Sequence, residues 1–361
     1  MKAALISLGS KSSLLTGEAM KKYFDQVDIL ELKKVEIRLG KESGIFYEGK
    51  ALENYDCVYV KGSFRYANLL CSIASMLEGK VSYMPLLAST FTTVHNKLLT
   101  HLILQQHNIP MPRTYLSSTA ETAKEVLKRV NYPIVMKFPE GTQGKGVMFA
   151  DSISSGSSLL DALGVLNQPF IIQEYIDTSG TDIRALVVGD KVIAAMKRKA
   201  QTEEKRANIH AGGKGVAVQL SRETITLALA TAKALKAEIC GIDILEGPTG
   251  PLVIEANISP GLQGLSEVNI AIDLPDQIAR FLHQKTEENT SAEKKTATDK
   301  VMKELQMENN ELASQEVITH LLFRGERILL PEWITRMSRF TEQKEYAVRS
   351  KKGKVEIEEM K

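Results

Sequence analysis

The sequence of 361 residues has few cysteines, no excess of charge of either sign and no long apolar run. Cys57, Cys71 and Cys240 lie in apolar surroundings without CxxC spacing, which predicts reduced packing residues and excludes a zinc knuckle or a disulfide framework. With 46 basic and 44 acidic residues, the whole chain has no strong field for nucleic acid or membrane. The apolar run at the amino terminus is too short for a signal peptide, and no run approaches the roughly 18 residues of a spanning helix. We expect a soluble, cytoplasmic protein without membrane contacts.

The remaining composition is that of an ordinary globular protein, with 43% hydrophobic and 25% charged residues, and the length predicts two or three domains. Short apolar runs alternate with helical patterns, which predicts the α/β (α+β) class. We expect an N-terminal α/β domain, a segment with a glycine loop, a segment with paired carboxylates, a charged linker and a small β-rich module (residues 1–90, 91–172, 173–283, 284–312 and 313–361).

Local signals predict where the helices and turns lie. A helix covers residues 97–108, and a capping box at Ser118 opens a second one. Ser221 caps a helix to about Glu238, and Pro275 begins a helix that ends near His283. A hairpin over residues 45–52 turns at Gly49. Strands are predicted at residues 3–8, 27–30, 57–60, 133–138, 147–150, 170–175, 183–188, 191–196, 239–245 and 252–257.

The end of the chain differs in composition from the rest. Residues 284–311 hold twelve charges and no turn-forming glycine, which predicts a solvated linker, partly helical. Short strands are predicted at 317–323, 327–330, 345–348 and 355–357, with a helical turn at 333–337 between them. A module of this size often needs a partner to bury enough surface, so we expect a homo-oligomer.

A glycine-dense loop joins two predicted strands between Phe138 and Val147. Glycines let the backbone turn its N–H groups towards a phosphate, yet the loop matches neither a Walker A loop nor a dinucleotide fingerprint. A plain glycine-rich hairpin tip remains the alternative. Lys137, on the strand that leads into the loop, can direct its charge at a phosphate. Lys97, at the head of the preceding helix, is a second candidate, or else an ordinary exposed lysine.

Two carboxylates and an amide fall on the last pair of predicted strands. Glu255 and Asn257 share a strand face because side chains alternate with a period of two. If Glu246 pairs with Leu252 across a five-residue loop, Asp243 lies opposite Glu255. The three side chains then form an oxygen site suited to Mg²⁺ or Mn²⁺. The alternative is that both acids face solvent, but an apolar setting favours a cation between them.

Basic residues follow the neighbouring strands. Arg198, Lys199 and Arg206 bind anions if they face the same site, and otherwise they belong to a solvated basic loop. His210 is a candidate general base, although a lone histidine is more often structural.

In this order, the motifs resemble those of the ATP-grasp superfamily, and most closely its RimK-type amino-acid ligase branch. The resemblance covers about residues 1–283 and rests on Lys97, on Lys137 with the loop Glu140–Gly146, and on the segments 173–176, 182–184, 206–210, 241–244 and 255–262. It implies an N-terminal α/β domain, a small lid that carries the glycine loop and a C-terminal sheet domain, with ATP held between the last two.

The resemblance also implies residue roles. Lys97 and Lys137 would contact the phosphates of ATP, with Gly141, Gln143, Gly144 and Gly146 in the loop above them. Glu174 and Tyr175 would read adenine, Asp182 would hold the ribose, and Arg206, Ala207 and Asn208 would line the nucleotide region. Asp243, Glu255 and Asn257 would bind two ions, Mg²⁺ or Mn²⁺. Arg198 or Arg206 would orient the substrate carboxylate or its acylphosphate.

The implied reaction joins a carboxylate to an amine in two steps. A substrate carboxylate attacks the γ-phosphate of ATP, giving an acylphosphate and ADP, and an amine then displaces phosphate. The amino acid would be glutamate, and the acceptor a protein tail or a coenzyme. Lys199 and Gln263 stand where the family often has arginine and glutamate, which leaves substrate identity less supported than ATP use.

The module at residues 313–361 is extra relative to that family and weakly resembles AbrB-type swapped hairpins, which dimerise and often bind DNA. It carries ten basic and eight acidic residues, a weak field for DNA, so dimerisation or acceptor docking is the better interpretation. The alternative to a ligase is an ATP-responsive regulator that binds DNA through this module.

Overall fold

The computed structural model describes residues 1–117, 119–139, 146–165, 169–199 and 214–304, and then 322–325, 327–330, 338, 340–341 and 343–360. The chain forms two compact units, Met1–Thr298 and Asp299–Lys361. The strands of the first unit are β1 (Lys2–Ser7), β2 (Gln26–Glu31), β3 (Val35–Arg38), β4 (Gly44–Tyr47), β5 (Lys50–Ala51), β6 (Cys57–Val60), β7 (Thr114–Tyr115), β8 (Ile134–Lys137), β9 (Val147–Ala150), β10 (Ile171–Glu174), β11 (Thr181–Val188), β12 (Lys191–Lys199), β13 (Lys214–Ala217), β14 (Ile239–Gly247) and β15 (Gly250–Asn257).

The α-helices are α1 (Lys11–Met20), α2 (Ala67–Leu77), α3 (Ala88–His95), α4 (Lys97–Gln106), α5 (Ala120–Leu127), α6 (Ile153–Val165), α7 (Arg222–Ala234), α8 (Gln263–Val268) and α9 (Leu274–Glu304). Helices and strands alternate along the first unit, so the predicted α/β class is confirmed. No helix in the described ranges is long and apolar enough to cross a bilayer.

The N-terminal part is a three-stranded parallel sheet in the order β2-β1-β6. Its apolar runs lie within a residue or two of the predicted strands, and β1 and β6 are buried on both faces, as parallel strands usually are. Burial raises the pKa of Cys57, on β6, to about 12, as it does for Cys240 on β14. These two cysteines are therefore thiol packing residues, as predicted.

A small antiparallel sheet, in the order β3-β4-β5, follows β2. The predicted hairpin is confirmed, and Gly49 in its turn has a φ of +79°, a conformation that favours glycine. Strand β3 was not predicted, because its four residues alternate too briefly to be told from loop.

The next sheet has the order β7-β10-β8-β9 and a hydrophobic core of its own. Helices α5 and α6 pack together, and α6 packs on β9. The capping residue of α5 is Thr119, whose hydroxyl accepts a hydrogen bond from the Thr122 N–H, and not Ser118. Helix α6 was not predicted, since four serines and two glycines give it weak helix propensity, and burial of Leu160 and Leu163 stabilises it instead.

The central sheet is antiparallel, in the order β13-β12-β11-β14-β15. Helix α7 packs on it, and the Ser221 side chain caps that helix as predicted, although the helix ends at Ala234. The main hydrophobic core runs from this sheet to the N-terminal parallel sheet. One face of the central sheet is thus apolar, and the polar side chains of the candidate site lie on the other.

The prediction that the last helix ends near His283 is wrong, because α9 continues to Glu304. Thr286 is fully buried and its hydroxyl donates to the Leu282 carbonyl, while the Asn289 side chain donates to the Ser82 carbonyl. Residues that look like a charged linker therefore pack on the fold at their beginning. Ion pairs within the helix, such as Lys285 with Glu288, also stabilise it.

The second unit contains two antiparallel hairpins, which are β16 (Leu322–Arg324) with β17 (Arg327–Leu329) and β18 (Tyr346–Lys351) with β19 (Lys354–Glu359). The predicted strands at 327–330, 345–348 and 355–357 are confirmed. The predicted strand at 317–323 is matched at its end by β16, whereas residues 317–321 and the predicted turn at 333–337 lie outside the described residues. Phe323 and Val348 are each more than three-fifths exposed.

Candidate active site

A cavity of about 510 Å³ lies between the carboxyl edge of the parallel sheet and the polar face of the central sheet. Five side chains from the predicted motifs line it, namely Lys97, Arg184, Arg198, Glu255 and Asn257. Residues Ser10–Ser13, Lys61–Phe64 and the segment after β15 complete its described wall. The structure therefore brings together residues that are up to 160 positions apart in the sequence.

The two predicted carboxylates face each other, but the turn that joins their strands is shorter than expected. Gly247 pairs with Gly250 and Glu246 with Pro251, so the turn contains two residues and not five. That register alone would place Asp243 opposite Ile254. A β-bulge between the pairs Ile244–Val253 and Asp243–Glu255 moves the register by one residue. The predicted pairing is confirmed, although the route to it was wrong.

The bulge also turns Glu255 out of the hydrophobic core. Val253 and Ala256 are both buried in the core, and the two residues between them are partly exposed. Without the extra residue, Glu255 would share a face with Val253 because side chains alternate along a strand. Bulges commonly redirect a side chain in this way beside active sites.

Four alternating charges lie on the polar face of the central sheet, and cross-strand pairing fixes their positions. Asp182 pairs with Arg198, and Arg184 with Asp243. Arg184 donates to both oxygens of Asp243 at 2.7 Å, and Arg198 Nε donates to Asp182 Oδ1 at 2.6 Å. A second contact, 3.0 Å from Arg198 Nη2 to Asp243 Oδ2, joins the two pairs. We call these four residues the charge row.

Burial and pairing shift the pKa values of the charge row in different directions. Burial raises the pKa of Asp182 to about 6, even though Arg198 opposes the shift. Burial also favours a higher pKa for Asp243, but Arg184 and Arg198 together outweigh this effect and hold the pKa of Asp243 at about 2. Asp243 is therefore an anion at any physiological pH.

The predicted phosphate lysines lie near Glu255. Lys97 Nζ is 3.9 Å from Glu255 Oε1. Burial lowers the pKa of Lys137 to about 8, with Glu255 raising it and Lys97 lowering it. The Lys97 N–H donates to the Pro139 carbonyl at 2.9 Å, which ties the head of α4 to the start of the glycine loop. Strands β8 and β9 are antiparallel neighbours, so the loop joins strand to strand as predicted.

His101 is a site residue that the sequence did not reveal. Its Nδ1 lies 2.5 Å from the Lys97 carbonyl, and its Nε2 lies 3.0 Å from the side-chain nitrogen of Gln173 on β10. Burial lowers the pKa of His101 to about 4, so the ring is neutral, donating from Nδ1 and accepting at Nε2. It holds the first turn of α4 against β10. A histidine among leucines in a helical pattern gives no signal for this role.

The structure also describes part of the predicted nucleotide set. Glu174 accepts a hydrogen bond from the Arg113 N–H, and the Tyr175 ring packs edge-on against Phe149. Gly146 has a φ of +78°, and a Cβ there would lie 2.3 Å from the Phe138 ring, so only glycine fits. Gly141, Gln143, Gly144, Arg206, Ala207 and Asn208 lie outside the described residues, as do His210 and most of the predicted basic loop.

The donor set of Asp243, Glu255 and Asn257 fits a hard divalent cation, which prefers carboxylate and amide oxygens. The Asn257 side-chain nitrogen is buried without a hydrogen-bond partner among the described residues, an unfinished arrangement that a bound ligand would complete. Glu255 and Asn257 fit such an ion most directly, because the oxygens of Asp243 already accept from both arginines. Among the described residues, no group of three or more His, Cys, Asp or Glu side chains is placed to hold a metal.

Comparisons with known proteins show what the chain is similar to. The sequence profile of the RimK-like ATP-grasp domain matches residues 94–282. A probable alpha-L-glutamate ligase of Pseudoalteromonas translucida (strain TAC 125) is 33% identical over 303 residues, which cover 82% of this chain and 99% of the relative. A protein of the same description from Aeromonas salmonicida (strain A449) is 35% identical over 264 residues, which cover 72% of this chain and 88% of the relative.

Solved structures show the same fold at low sequence identity. A RimK domain ATP-grasp protein of Sphaerobacter thermophilus superimposes with a TM-score of 0.61 and 17% identity over 78% of this chain and 99% of its own. The ATP-grasp ligase PsnB, in a complex with its minimal precursor, Mg and ADP, has a TM-score of 0.61 and 18% identity over 79% of this chain and 98% of its own. The predicted ATP-grasp architecture is confirmed.

Proposed function

Because the chain belongs to the RimK-like ATP-grasp family and is an ATP-dependent ligase, we propose that it joins the amino group of L-glutamate to a carboxylate on a protein tail or a coenzyme. The relatives described as probable alpha-L-glutamate ligases support the choice of amino acid. The observation that carries the proposal is that Lys97, Glu255 and Asn257 line one cavity, with Asp243 paired to Glu255 on the neighbouring strand.

In the proposed reaction, an oxygen of the acceptor carboxylate attacks the γ-phosphorus of ATP and ADP leaves, giving an acylphosphate. The amino nitrogen of glutamate then attacks the acyl carbon, phosphate leaves, the nitrogen loses a proton and an amide forms. Lys97 and Lys137 stabilise the charge on the phosphoryl oxygens. The protein needs no covalent nucleophile, so positioning does most of the catalysis.

Two Mg²⁺ or Mn²⁺ ions, when bound, would neutralise phosphate charge, and Asp243, Glu255 and Asn257 would hold them. Glu174 and Tyr175 are proposed to bind adenine, and the glycine loop together with Arg206, Ala207 and Asn208 to line the nucleotide. Arg198 or Arg206 would orient the carboxylate or acylphosphate. For Asp182, contact with the ribose means sharing oxygens that already bond Arg198, so its proposed role includes holding that arginine.

The experiment that tests the function is amino-acid-dependent ADP release. Purified protein, ATP and Mg²⁺ are mixed with each of the twenty amino acids, with and without cell extract as a source of acceptor. We expect many turnovers per chain that require both L-glutamate and extract, and none in EDTA or with D-glutamate. Bound ATP without ADP release in any mixture would contradict the ligase and favour a nucleotide-responsive regulator.

We further propose that the second unit joins two copies of the chain. Its hairpins expose Phe323, Val348 and Val355 by more than half, and exposed apolar residues on so small a unit favour association. The AbrB-like resemblance stays a prediction. In light scattering, we expect Val348→Ser to lower the molar mass to that of one chain. Arg349→Ser, on the opposite face of β18, is the control and leaves the mass unchanged. Equal masses for both variants would place the contact elsewhere.

A further inference from the structure

A second part of the cavity wall comes from the N-terminal parallel sheet. The strand order reverses at β1, because β2 lies on one side of it and β6 on the other. Ligands of open α/β sheets bind beyond the carboxyl ends of the strands at such a point. The Gly62 N–H donates to the Ser259 hydroxyl at 2.9 Å, and the Leu262 N–H donates to the Ser12 hydroxyl at 3.0 Å. These bonds hold the sheet edge against the segment that follows Asn257.

Lys61 lies at this edge and is only 3% exposed. Its backbone N–H donates to the Ile6 carbonyl at 2.8 Å, and its side chain lines the cavity. In the described part of the chain, its ammonium group has no ion pair and no hydrogen bond. The Lys61 Nζ atom lies over the Tyr59 ring, 5.4 Å from the ring centre. Burial alone lowers the pKa of Lys61 to about 8. A buried cation without an anion is costly, which indicates that a ligand supplies the anion.

The N-terminus of α1 lines the cavity beside Lys61. Helix α1 has ten residues and no acidic residue in its first turn, and Ser10 accepts from the Ser13 N–H, so the N–H groups of Lys11 and Ser12 lack helical partners. The positive end of a helix attracts anions. Of the cations on the described cavity wall, Arg184 and Arg198 are paired with Asp243 and Asp182, and Lys97 lies near Glu255. Lys61 and Lys11 are the remaining cations of that wall, and they favour an anionic ligand beside the helix end.

We propose that Lys61 and the N-terminus of α1 bind a carboxylate of the amino acid that donates its amine, and so select an acidic amino acid. This inference rests on the proposed ligase function. The reaction activates one carboxylate, that of the acceptor, and it does so beside Glu255 and Asn257. The two carboxylates of glutamate are not activated, and they need cations that the nucleotide and its metal do not occupy. Lys61 follows the N-terminal parallel sheet, whereas Glu255 lies on the central sheet, and Lys61 supplies one of these cations.

The test uses the ADP-release assay to measure the KM for L-glutamate and the inhibition constants of L-glutamine and L-isoglutamine, each of which lacks one carboxylate. We expect Lys61→Met to raise the KM for L-glutamate by about 10- to 100-fold, the usual effect of a lost charge-assisted hydrogen bond, and to leave the KM for ATP unchanged. The same variant changes the inhibition constant of one of the two amides by less than about twofold, because that ligand lacks the partner of Lys61. Lys33→Met, an exposed charge loss in the same domain, is the control.

Stability separates this role from a structural one. Methionine relieves the buried charge, so we expect Lys61→Met to melt at or above the temperature of the wild type. A lower melting temperature with equal losses for all three ligands would overturn the inference, and so would an unchanged KM for L-glutamate. If the wild type releases no ADP with any amino acid, the proposed function fails first. Lys61→Gln, which keeps a polar tip, repeats the comparison with less change in the cavity.

Discussion

Glu255→Ala is expected to reduce glutamate-dependent ADP release by at least about 100-fold while the fold stays intact. Glu255 is 32% exposed on the cavity wall, and its recorded ion pair, to Lys97, is long at 3.9 Å. Its removal therefore creates no core cavity and, among the described residues, breaks no ion pair shorter than 3.9 Å, although Lys97 and Lys137 lose a nearby anion. What it removes is an oxygen ligand in the set that fits Mg²⁺, at the point where phosphate charge must be neutralised.

The control for this variant lies on the same hairpin. Glu246 forms an exposed ion pair with Lys197 at 2.7 Å, away from the described cavity lining. Glu246→Ala should keep nearly full activity, and both variants should melt within about 2 °C of the wild type. Full activity of Glu255→Ala would refute the metal assignment. A large drop in its melting temperature would mean that Glu255 is structural.

Arg198→Met is expected to destabilise the first unit by about 3–5 kcal/mol, the usual cost of removing one partner from a buried ion pair. Arg198 is 4% exposed and holds Asp182, which is 8% exposed, together with Asp243. Without the guanidinium, Asp182 has no ion pair with another described residue, and Asp243 keeps its ion pair with Arg184 alone. The measurement is the midpoint of urea unfolding, followed by circular dichroism.

Lys197→Met is the matched control, because Lys197 precedes Arg198 on β12 and its pair with Glu246 is exposed. It should cost less than about 1 kcal/mol. Asp182→Asn should recover part of the loss when combined with Arg198→Met, since both charges then leave together. If Arg198→Met costs no more than Lys197→Met, Arg198 contributes to binding and not to stability.

The loss in Arg198→Met should also depend on pH. Burial already raises the pKa of Asp182 to about 6 with Arg198 present, and removing the arginine removes the influence that opposed the rise. A carboxyl group whose folded pKa is raised favours the folded state at low pH and disfavours it as pH rises through that pKa. We therefore expect the variant to be closer to the wild type in stability at pH 5 than at pH 8.

The sequence predicts the central sheet and the carboxylate pair well because both depend on short-range patterns. Asp243 and Glu255 each lie in a short apolar run, and the short turn between the two runs makes their strands antiparallel neighbours. The sequence does not predict helix α6, for the opposite reason. Its serines and glycines disfavour a helix, and its stability comes from packing. The continuation of α9 past His283 likewise depends on a contact with Ser82, 207 positions away.

The electrostatic part of the site is the hardest to predict. Arg184 and Asp243 are 59 positions apart, and their pairing follows from the order of β11 and β14 in the sheet, which periodicity does not encode. Lys61 is an ordinary lysine after a strand until residues 259–262 pack over that edge. Composition and motifs thus indicate which residues carry chemistry, whereas tertiary structure decides which charges are buried together.

The bulge before Glu255 has an evolutionary consequence. A turn with one residue more than Pro248-Thr249 and a strand β15 without the bulge would also place Asp243 opposite Glu255. Either change alone shifts the strand by one position and points a carboxylate into the hydrophobic core. Lineages can therefore exchange one solution for the other only by paired changes, a gain in the turn with a loss in the strand. We therefore expect an alignment of relatives to keep the combined length of turn and strand constant, with single insertions or deletions in this hairpin rare.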